Sequence, residues 1–244
     1  WLEVYGNNNY TGATTIKAGY LRITNDSPHS FLNNTTFTGP GHLQIRPNNT
    51  NFGSVLSMSD INFTGTSIGK FYIGRSGTTT KFVLDEDIDV NGEEIHFYMP
   101  VELNGGDRDI KATNSHVRFY QTIDSDGTQR ALTVTNGTGD TTFSGAIGGS
   151  APVKSLTITS DQLTAGAITL NGALTATLGG SSSITGVIAN GASTANLVKA
   201  GSGTLTLSAS NTYTGTTQVS AGTLTVSGSG RLSDSTAVTV DSGA

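Results

Sequence analysis

Short apolar–polar–apolar triplets recur along the whole chain. Alternation with a period of two places both apolar residues on one face of an extended segment, which predicts short β-strands. Gly, Asn, Asp and Ser fill the intervals, as is typical of turns. No stretch sustains a period of 3.6, so the pattern predicts almost no helix. The triplets occupy residues 2–4, 21–23, 43–45, 117–119, 132–134, 156–158, 205–207, 224–226 and 238–240.

The spacing of these triplets predicts the architecture. Several neighbours begin about 19 to 24 residues apart, as from Leu2 to Leu21 and from Leu132 to Leu156. An antiparallel sandwich places strands every 8–12 residues or so, whereas a period of about 20 residues is typical of one coil of a parallel β-helix. Each strand then pairs with its equivalent one coil later. We therefore predict an all-β parallel β-helix, a single elongated domain of about ten to twelve coils.

An internal repeat supports this prediction. Residues 8–23 align without a gap to residues 211–226, sharing an Asn, a Tyr-Thr-Gly motif, an Ala-Gly pair and a Leu. Weaker echoes of the motif, with Phe or Ile in place of Tyr, occur at residues 36–39, 62–65, 142–145 and 183–186. The motif predicts a corner of the coil, formed by an aromatic or aliphatic residue, a small hydroxyl residue, and a Gly with positive φ.

Composition excludes several classes of protein. The 244 residues contain no Cys, which excludes a disulfide framework and Cys-bound zinc. The net charge of −5 argues against nucleic acid as a partner. No run of about 18 apolar residues occurs, so we expect no membrane insertion by this segment. The low charged fraction of 13% suits stacked coils, because like charges about 4.8 Å apart repel.

The two halves of the chain differ in composition but share the same pattern of short strands and turns. We predict one continuous β-helix over residues 1–244, with more charged and aromatic coils in 1–130 and regular Thr/Ser/Gly-rich coils in 131–244. The chain opens at Trp1 without a leader and both ends break inside repeats. We expect a removed signal segment or a fragment of a longer protein. The uncapped terminal strands are expected to continue into further coils, or alternatively to stack like subunits end to end.

The clearest repeat carries a family resemblance. Residues 201–207, followed by 211–217 and 221–224, closely resemble the autotransporter-associated β-strand repeat, and residues 184–188 and 197–201 are similar to its lead-in. The resemblance implies a right-handed parallel β-helix in a large secreted or surface-displayed bacterial protein. Members commonly carry a signal peptide and a surface anchor. It therefore implies an extracellular or cell-surface location, attached to the outer membrane or released.

One group of side chains suits contact with a polysaccharide. Aromatic platforms for sugar rings, accompanied by carboxylic acids, are what glycan binding or hydrolysis requires. Aromatic stacks also fill the corners and interiors of β-helices, so both interpretations stay open. The aromatic and basic candidates are Tyr72, Phe97, Tyr98, Tyr120, Arg75, Arg108, Arg118 and Arg130, and the acidic candidates are Glu93, Glu94, Glu102, Asp107 and Asp109.

Other candidate sites favour structural interpretations. The acidic residues 85–89 lack an EF-hand or calcium β-roll pattern, so we expect an exposed strand edge with outward charges. Residues 124–127 predict an Asx-type turn. The seven Asn-x-Ser/Thr sequons follow from the Asn- and Thr-rich composition. The histidines, expected to be scattered on the surface without a shared metal, are His29, His42, His96 and His116.

These observations lead to two functional hypotheses. The first is a structural or adhesive extracellular bacterial protein, either a stalk or passenger segment of an adhesin or a building block of a surface fibre. Its partners would be a host or environmental surface, a glycan or protein receptor, or like subunits. The alternative is a β-helix enzyme or binding module that acts on polysaccharide. We assign no catalytic, cofactor-binding or metal residue.

Overall fold

The computed structural model describes residues 1–6, 12–28, 32, 35–63, 68–90 and 94–244. Those residues contain β-strands, numbered here along the chain, and a short 3-10 helix at Met58–Asp60. Every strand pairing in them is parallel, and the strands stack as a β-solenoid of about 10 turns. The predicted all-β parallel β-helix is therefore confirmed.

Sheet A receives one strand from every coil. Its strands, in spatial order, are β1 (Leu2–Tyr5), β3 (Tyr20–Thr24), β5 (His42–Arg46), β8 (Phe71–Ile73), β11 (Ile95–Phe97), β14 (Val117–Phe119), β17 (Thr141–Phe143), β19 (Leu163–Ala165), β22 (Ser181–Ile184), β25 (Thr204–Leu207) and β27 (Thr223–Val226). Because this spatial order is also the order along the chain, successive coils are neighbours throughout the sheet.

Sheets B, C and D form the remaining sides. Sheet B contains β10 (Ile88–Val90), β13 (Arg108–Ala112), β16 (Leu132–Thr135), β18 (Leu156–Ser160), β21 (Ala173–Leu178), β24 (Asn196–Ala200), β26 (Thr217–Val219) and β28 (Val238–Val240). Sheet C contains β6 (Leu56–Ser57), β9 (Phe82–Leu84), β12 (Val101–Leu103) and β15 (Ile123–Ser125), which isolated bridges through Ile147 connect to β20 (Ile168–Leu170) and β23 (Ile188–Asn190). Sheet D contains β2 (Thr14–Thr15), β4 (Thr36–Thr38) and β7 (Asn62–Phe63).

The strand register follows the predicted triplets. Leu2 faces Leu21, and Leu21 in turn faces Leu43. The same pairing joins Leu132 to Leu156. Inward positions are buried and outward positions are partly exposed, as in the alternating burial of β5 and β24. Inward aliphatic residues therefore form continuous apolar ladders, which provide most of the stability of a solenoid.

An aromatic ladder fills part of this core. The rings of Phe97 and Phe119 stack with centroids 4.6 Å apart, and Phe119 stacks on Phe143 at 5.0 Å. All three side chains are at most 1% exposed. The placement of Phe97 among the candidate surface aromatics was therefore wrong, because its position in β11 points inward while its neighbour His96 points outward.

The Thr-Gly motif does not mark equivalent corners. Phe143 and Ile184 end strands of sheet A, whereas Tyr213 lies between β25 and β26, where its N–H donates to the carbonyl of Ile188. A small residue followed by Gly therefore marks several different corners of the coil. Tyr213 is fully buried, and burial raises the pKa of its phenol.

Glycine serves two distinct purposes at these corners, and the prediction of positive φ was wrong for most motif glycines. Gly186 and Gly145 have no positive φ; instead, a Cβ would lie 2.3 Å from the backbone N of Ala167 and 2.4 Å from the carbonyl carbon of Gln121, respectively. Only hydrogen fits against the preceding coil. Gly222, in the Ala-Gly pair, serves the second purpose: its φ is positive, at 72°, a backbone conformation that glycine adopts without steric cost.

One cation lies in the core. Lys199 is fully buried, and its Nζ donates to the carbonyl oxygens of Ala200 at 2.8 Å, Gly201 at 2.8 Å and Ala221 at 3.1 Å. Burial lowers the pKa of this ammonium group. The three hydrogen bonds join two consecutive coils at a corner, so Lys199 acts as a clamp between them.

The first and last strands, β1 and β28, each pair with one other strand and lie at the ends of their sheets. Leu2 in β1 and Val240 in β28 are about three-fifths exposed, at 63% and 61%. That these strands continue into further coils stays a prediction. Within the described residues, no helix has the length and apolar character needed to cross a membrane.

Candidate functional site

The outer face of sheet A changes character along the solenoid. Strand register stacks its central outward residues in one column: Glu3, Arg22, Gln44, Tyr72, His96, Arg118, Thr142, Thr164, Ser183, Thr206 and Thr225. From β17 onward the column contains only Thr and Ser, whereas earlier coils present charged and aromatic side chains. The rings on the earlier coils, which we call the aromatic face, belong to Trp1, Tyr20, His42, Tyr72, His96, Tyr98 and Tyr120.

The rings of the aromatic face contact each other from coil to coil. Trp1 stacks on Tyr20 with centroids 4.7 Å apart, and Tyr20 lies 4.5 Å from His42. The guanidinium of Arg22 lies 4.1 Å from the centroid of Trp1, in cation–π contact. A longer contact of 6.5 Å connects Tyr20 to Tyr72. The sequence did not indicate Trp1 and Tyr20 as site residues, although Tyr20 and His42 directly precede predicted triplets.

The second half of the aromatic face is packed more tightly. His96 stacks on Tyr72 at 4.5 Å, and Tyr98 stacks on Tyr120 at 4.6 Å with only 7° between the ring planes. His96 also contacts Tyr98 and Tyr120 edge-on, at 5.8 and 5.7 Å. Burial raises the pKa of Tyr98 to about 12. The predicted grouping of Tyr72, Tyr98 and Tyr120 is therefore present.

His96 is buried at the centre of this packing, so the expectation of a surface histidine was wrong. It is only 5% exposed, because the tyrosine rings cover its outward position. Its Nδ1 lies 3.2 Å from the hydroxyl oxygen of Tyr98. Its Nε2 has no hydrogen-bond partner among the described residues and lies 3.6 Å from Glu94 Oε2. Burial lowers the pKa of His96 to about 4.

Glu94 is the charged centre of the aromatic face. Its Oε2 accepts a hydrogen bond from the Tyr72 hydroxyl at 2.8 Å, and it lies 3.5 Å from Lys70 Nζ and 3.9 Å (through Oε1) from Arg118. Burial opposes the charge on Glu94. The Tyr72 hydrogen bond and the neighbouring positive charges outweigh that effect and hold the pKa of the carboxyl below its usual range. Two Lys/Arg cations thus surround one carboxylate.

The other histidines have separate environments. His42 Nδ1 accepts from the Lys70 backbone N–H at 3.1 Å, and His116 Nδ1 accepts from the Asp140 N–H at 3.1 Å. His29 lies outside the described residues. Across the part of the chain that the structure describes, no three His, Asp or Glu side chains are grouped so as to hold a metal ion.

The remaining basic candidates have partners other than Glu94. Arg75 donates to the backbone carbonyls of Asn48 at 3.1 Å and Asn49 at 3.3 Å. Arg108 lies 3.6 Å from Asp87, on the sheet B side. Arg130 pairs with Asp126 at 3.0 Å, and this ion pair lowers the pKa of Asp126. Arg118 alone of the four predicted arginines approaches Glu94.

The acidic candidates are likewise distributed over different sheets. Glu94 precedes β11 of sheet A, Glu102 lies in β12 of sheet C, and Asp109 lies in β13 of sheet B. Glu102 pairs with Lys81, and Asp107 with Lys154 at 2.8 Å. Glu93 lies outside the described residues. The predicted acids that the structure describes therefore do not converge on one pair.

The acidic run at residues 85–89 connects coils. Asp85 accepts from the backbone N–H and the hydroxyl of Ser59 at 2.9 and 2.6 Å. Asp87 accepts from the N–H of Asp109 at 2.9 Å. Glu86, Asp87 and Asp89 are exposed, as predicted. Residues 85–87 form the corner between β9 and β10, so the predicted strand edge holds only for Asp89 of β10.

The predicted turn at residues 124–127 is present in part. Asp126 accepts from the Thr128 N–H at 3.0 Å, which is the expected Asx geometry. Asp124 instead belongs to β15 and accepts from the N–H groups of Ser150 and Ala151 at 2.8 and 3.1 Å. Both acids thus have structural partners.

A groove opens beside the stacked tyrosines. Its volume is about 470 Å³, and its walls are Ser76, Gly77, Tyr98, Tyr120 and Gln121. Gln121 Nε2 donates to the carbonyls of Thr78 at 2.6 Å and Tyr98 at 2.9 Å, which fixes its side chain across two coils. Sequence reasoning missed Ser76, Gly77 and Gln121, because only the coil-to-coil register brings them beside Tyr120.

Two segments of the chain match a known family. Residues 2–23 and 197–226 match the family described as Passenger-associated-transport-repeat. These segments cover β1, β2 and most of β3, and most of β24 together with β25 to β27, and they overlap the two copies of the internal repeat. Searches of curated proteins and of solved structures found no match. The repeat sequence and the β-solenoid together fit a passenger-type β-helix of the autotransporter kind.

Proposed function

We propose that this β-helix is an adhesive passenger segment: a rod, displayed on or released from a bacterial surface, that attaches to a partner surface through its aromatic face. The passenger repeat is consistent with a surface or secreted location. The solenoid supplies length and rigidity, since each coil packs only on its neighbours. The aromatic face supplies the contact.

One observation carries the adhesive part of this proposal. The same sheet presents aromatic and charged residues in its first coils and only Thr and Ser in the central column from β17 onward. The later coils pair in continuous parallel register without outward aromatic rings. Stacking of the coils therefore does not require such rings. Two rings of the aromatic face, those of Trp1 and Tyr120, are exposed, at 77% and 39%, and exposed aromatic rings beside charged groups are typical of interaction surfaces.

A polysaccharide-acting enzyme is the second candidate. The aromatic face favours it, since aromatic rings bind sugars, but glycoside hydrolysis usually requires two carboxyl groups flanking the bond. Glu94 is the one predicted acid beside these rings among the described residues. We therefore favour binding over catalysis. Screening the chain for release of reducing sugars from a glycan panel tests the enzymatic alternative directly.

Adhesion of coated beads tests the proposal. Beads carrying the 244-residue chain are expected to attach to a panel of animal-cell, plant-cell and mineral surfaces. The double variant Tyr20→Ser and Tyr120→Ser is expected to attach at least several-fold less. The matched control is Thr142→Ala and Thr164→Ala, which changes two outward residues on the later coils of the same sheet.

The outcomes separate cleanly if each variant is first shown to fold by circular dichroism. Loss of attachment in the tyrosine variant, with retention in the threonine variant, supports the proposal. Equal attachment by both variants, or no attachment by the unaltered chain, would overturn it.

A further inference from the structure

We infer that the groove beside Tyr98 and Tyr120 binds an acidic sugar, one carboxylated pyranose ring of a polysaccharide. This inference rests on the proposed function and names the ligand class of the same aromatic face. It uses three features of the groove: a ring platform, a hydrogen-bond acceptor and a set of donors beside a cation.

The platform is the stacked tyrosine pair. Tyr120 is 39% exposed, and its ring is supported from one side by Tyr98 at 4.6 Å. The C–H face of a pyranose packs on an aromatic ring because the π surface is apolar and electron-rich. A tyrosine held by its neighbour loses little conformational entropy when a ligand binds. The exposed side of Tyr120 is therefore a preorganised sugar platform.

The acceptor is the side chain of Gln121. Both of its donated hydrogen bonds go to backbone carbonyls, from Nε2 to Thr78 and Tyr98. Among the described residues, its Oε1 accepts no hydrogen bond, while the side chain lines the groove. A fixed carbonyl oxygen on the wall of a groove is a suitable partner for a sugar hydroxyl.

The donors lie in the turn opposite. Arg75 and Thr78 close this turn through the Thr78 N–H to Arg75 carbonyl bond at 3.1 Å and the Arg75 N–H to Thr78 hydroxyl bond at 3.2 Å. Gly77 has a positive φ of 86°. Within the described part of the chain, the consecutive N–H groups of Ser76 and Gly77 have no acceptor. Consecutive free N–H groups in such a turn form an anion-binding concavity.

The charge of this region favours an acidic ligand. Arg75 precedes Ser76, and no carboxylate pairs with it among the described residues; its guanidinium donates to two backbone carbonyls. Among the described residues, Lys70 and Arg118 both approach Glu94, which precedes β11, the strand paired with the β8 that Arg75 follows. Carboxylates satisfy both the free N–H groups and the guanidinium.

Titration with matched oligosaccharides tests the inference. The probes are hexasaccharides of galacturonate and of mannuronate, each compared with its methyl ester, which keeps the pyranose rings and removes the charge. We expect the unaltered chain to bind at least one acid form about tenfold or more tightly than its ester. Isothermal calorimetry at low and high salt measures the affinities.

Three variants locate the site. Tyr120→Ala is expected to weaken binding about tenfold or more, while Tyr120→Phe, which keeps the ring, retains it. Arg75→Gln is expected to reduce binding of the acid form and leave the ester unchanged. Arg130→Gln, at an arginine that pairs with Asp126, is the control for a general loss of positive charge.

The outcomes distinguish this inference from the proposed function. Binding that depends on Tyr120, Arg75 and the carboxylate supports it. No binding of either acid, equal binding of acid and ester, or equal losses in Arg75→Gln and Arg130→Gln would overturn it. If the oligosaccharides fail to bind while coated beads still attach through Tyr20 and Tyr120, the acidic-sugar inference fails and the adhesive proposal stands.

Discussion

The imidazole ring of His96 stacks on the phenol ring of Tyr72, its register partner one coil earlier, with centroids 4.5 Å apart. The tyrosine hydroxyl donates to Glu94, whose carboxylate lies 3.6 Å from His96 Nε2. This arrangement buries the histidine as a neutral ring beside an ionised acid. The aromatic face is therefore coupled to pH.

The first prediction is that acid destabilises the solenoid through His96. Its pKa is about 4 in the folded chain against an ordinary 6.5, so the unfolded chain binds more protons as pH falls between these values. Stability therefore falls from about pH 7 to pH 4, by on the order of 2–3 kcal/mol. Glu94, with its lowered pKa, acts in the same direction below its ordinary 4.5.

Urea unfolding between pH 4 and pH 7.5 measures this effect. His96→Phe is expected to flatten the pH dependence of the free energy of unfolding, whereas His116→Gln, one coil later, keeps it. Parallel curves for the unaltered chain and His96→Phe would contradict the assignment.

The second prediction concerns the buried clamp at Lys199. Lys199→Met retains the apolar stem but leaves the carbonyls of Ala200, Gly201 and Ala221 without their donor. Unsatisfied buried acceptors cost about 1–3 kcal/mol, so we expect a loss of roughly 2–4 kcal/mol. Lys154→Met, at a side chain that is 53% exposed, is expected to change stability by about 0.5 kcal/mol or less. Thermal and urea unfolding compare the two variants, and similar losses in both would show that the clamp contributes little.

The third prediction separates two glycines in neighbouring coils. Gly186→Ala places a Cβ 2.3 Å from the backbone N of Ala167 and is expected to cost about 3 kcal/mol or more, because the coils must separate. Gly166→Ala meets nothing nearer than the Gly145 carbonyl at 3.8 Å and is expected to be neutral or to stabilise by about 0.5 kcal/mol. Melting temperatures test the difference; a neutral Gly186→Ala would show that coil spacing adjusts easily.

The fourth prediction contrasts the two sides of sheet A. Phe119 and Tyr120 are adjacent in sequence, but Phe119 is 1% exposed and Tyr120 is 39% exposed. Phe119→Ala is expected to cost about 3–5 kcal/mol through lost packing in the phenylalanine ladder. Tyr120→Ala is expected to cost about 1 kcal/mol, from the stack with Tyr98. Denaturant midpoints of the two variants measure the contrast, and a reversed order would contradict the assignment of the faces.

Local alternation and the repeat period predicted the coil from the residues alone. Alternation set which residues point inward, and the period of about 20 residues implied parallel stacking, as the pairing of Leu2 with Leu21 shows. Both properties can be read from the sequence because one is local and the other is periodic. Similar short strands recur, and each buries its apolar face against its equivalent in the next coil. The repeat at residues 211–226 also carried the resemblance to the passenger repeat, which the match over residues 197–226 supports.

The candidate site, in contrast, depends on contacts between coils, which the residue pattern does not give. Coil lengths vary, with 19 residues from Leu2 to Leu21 but 28 from Leu43 to Phe71, so sequence distance does not give the register across sheet A. Stacking brought Gln121 beside Ser76, placed Phe97 in the core, and buried His96 under tyrosines from three coils. Burial and contact depend on which coils are adjacent at each corner, and the lengths of the intervening loops fix that adjacency.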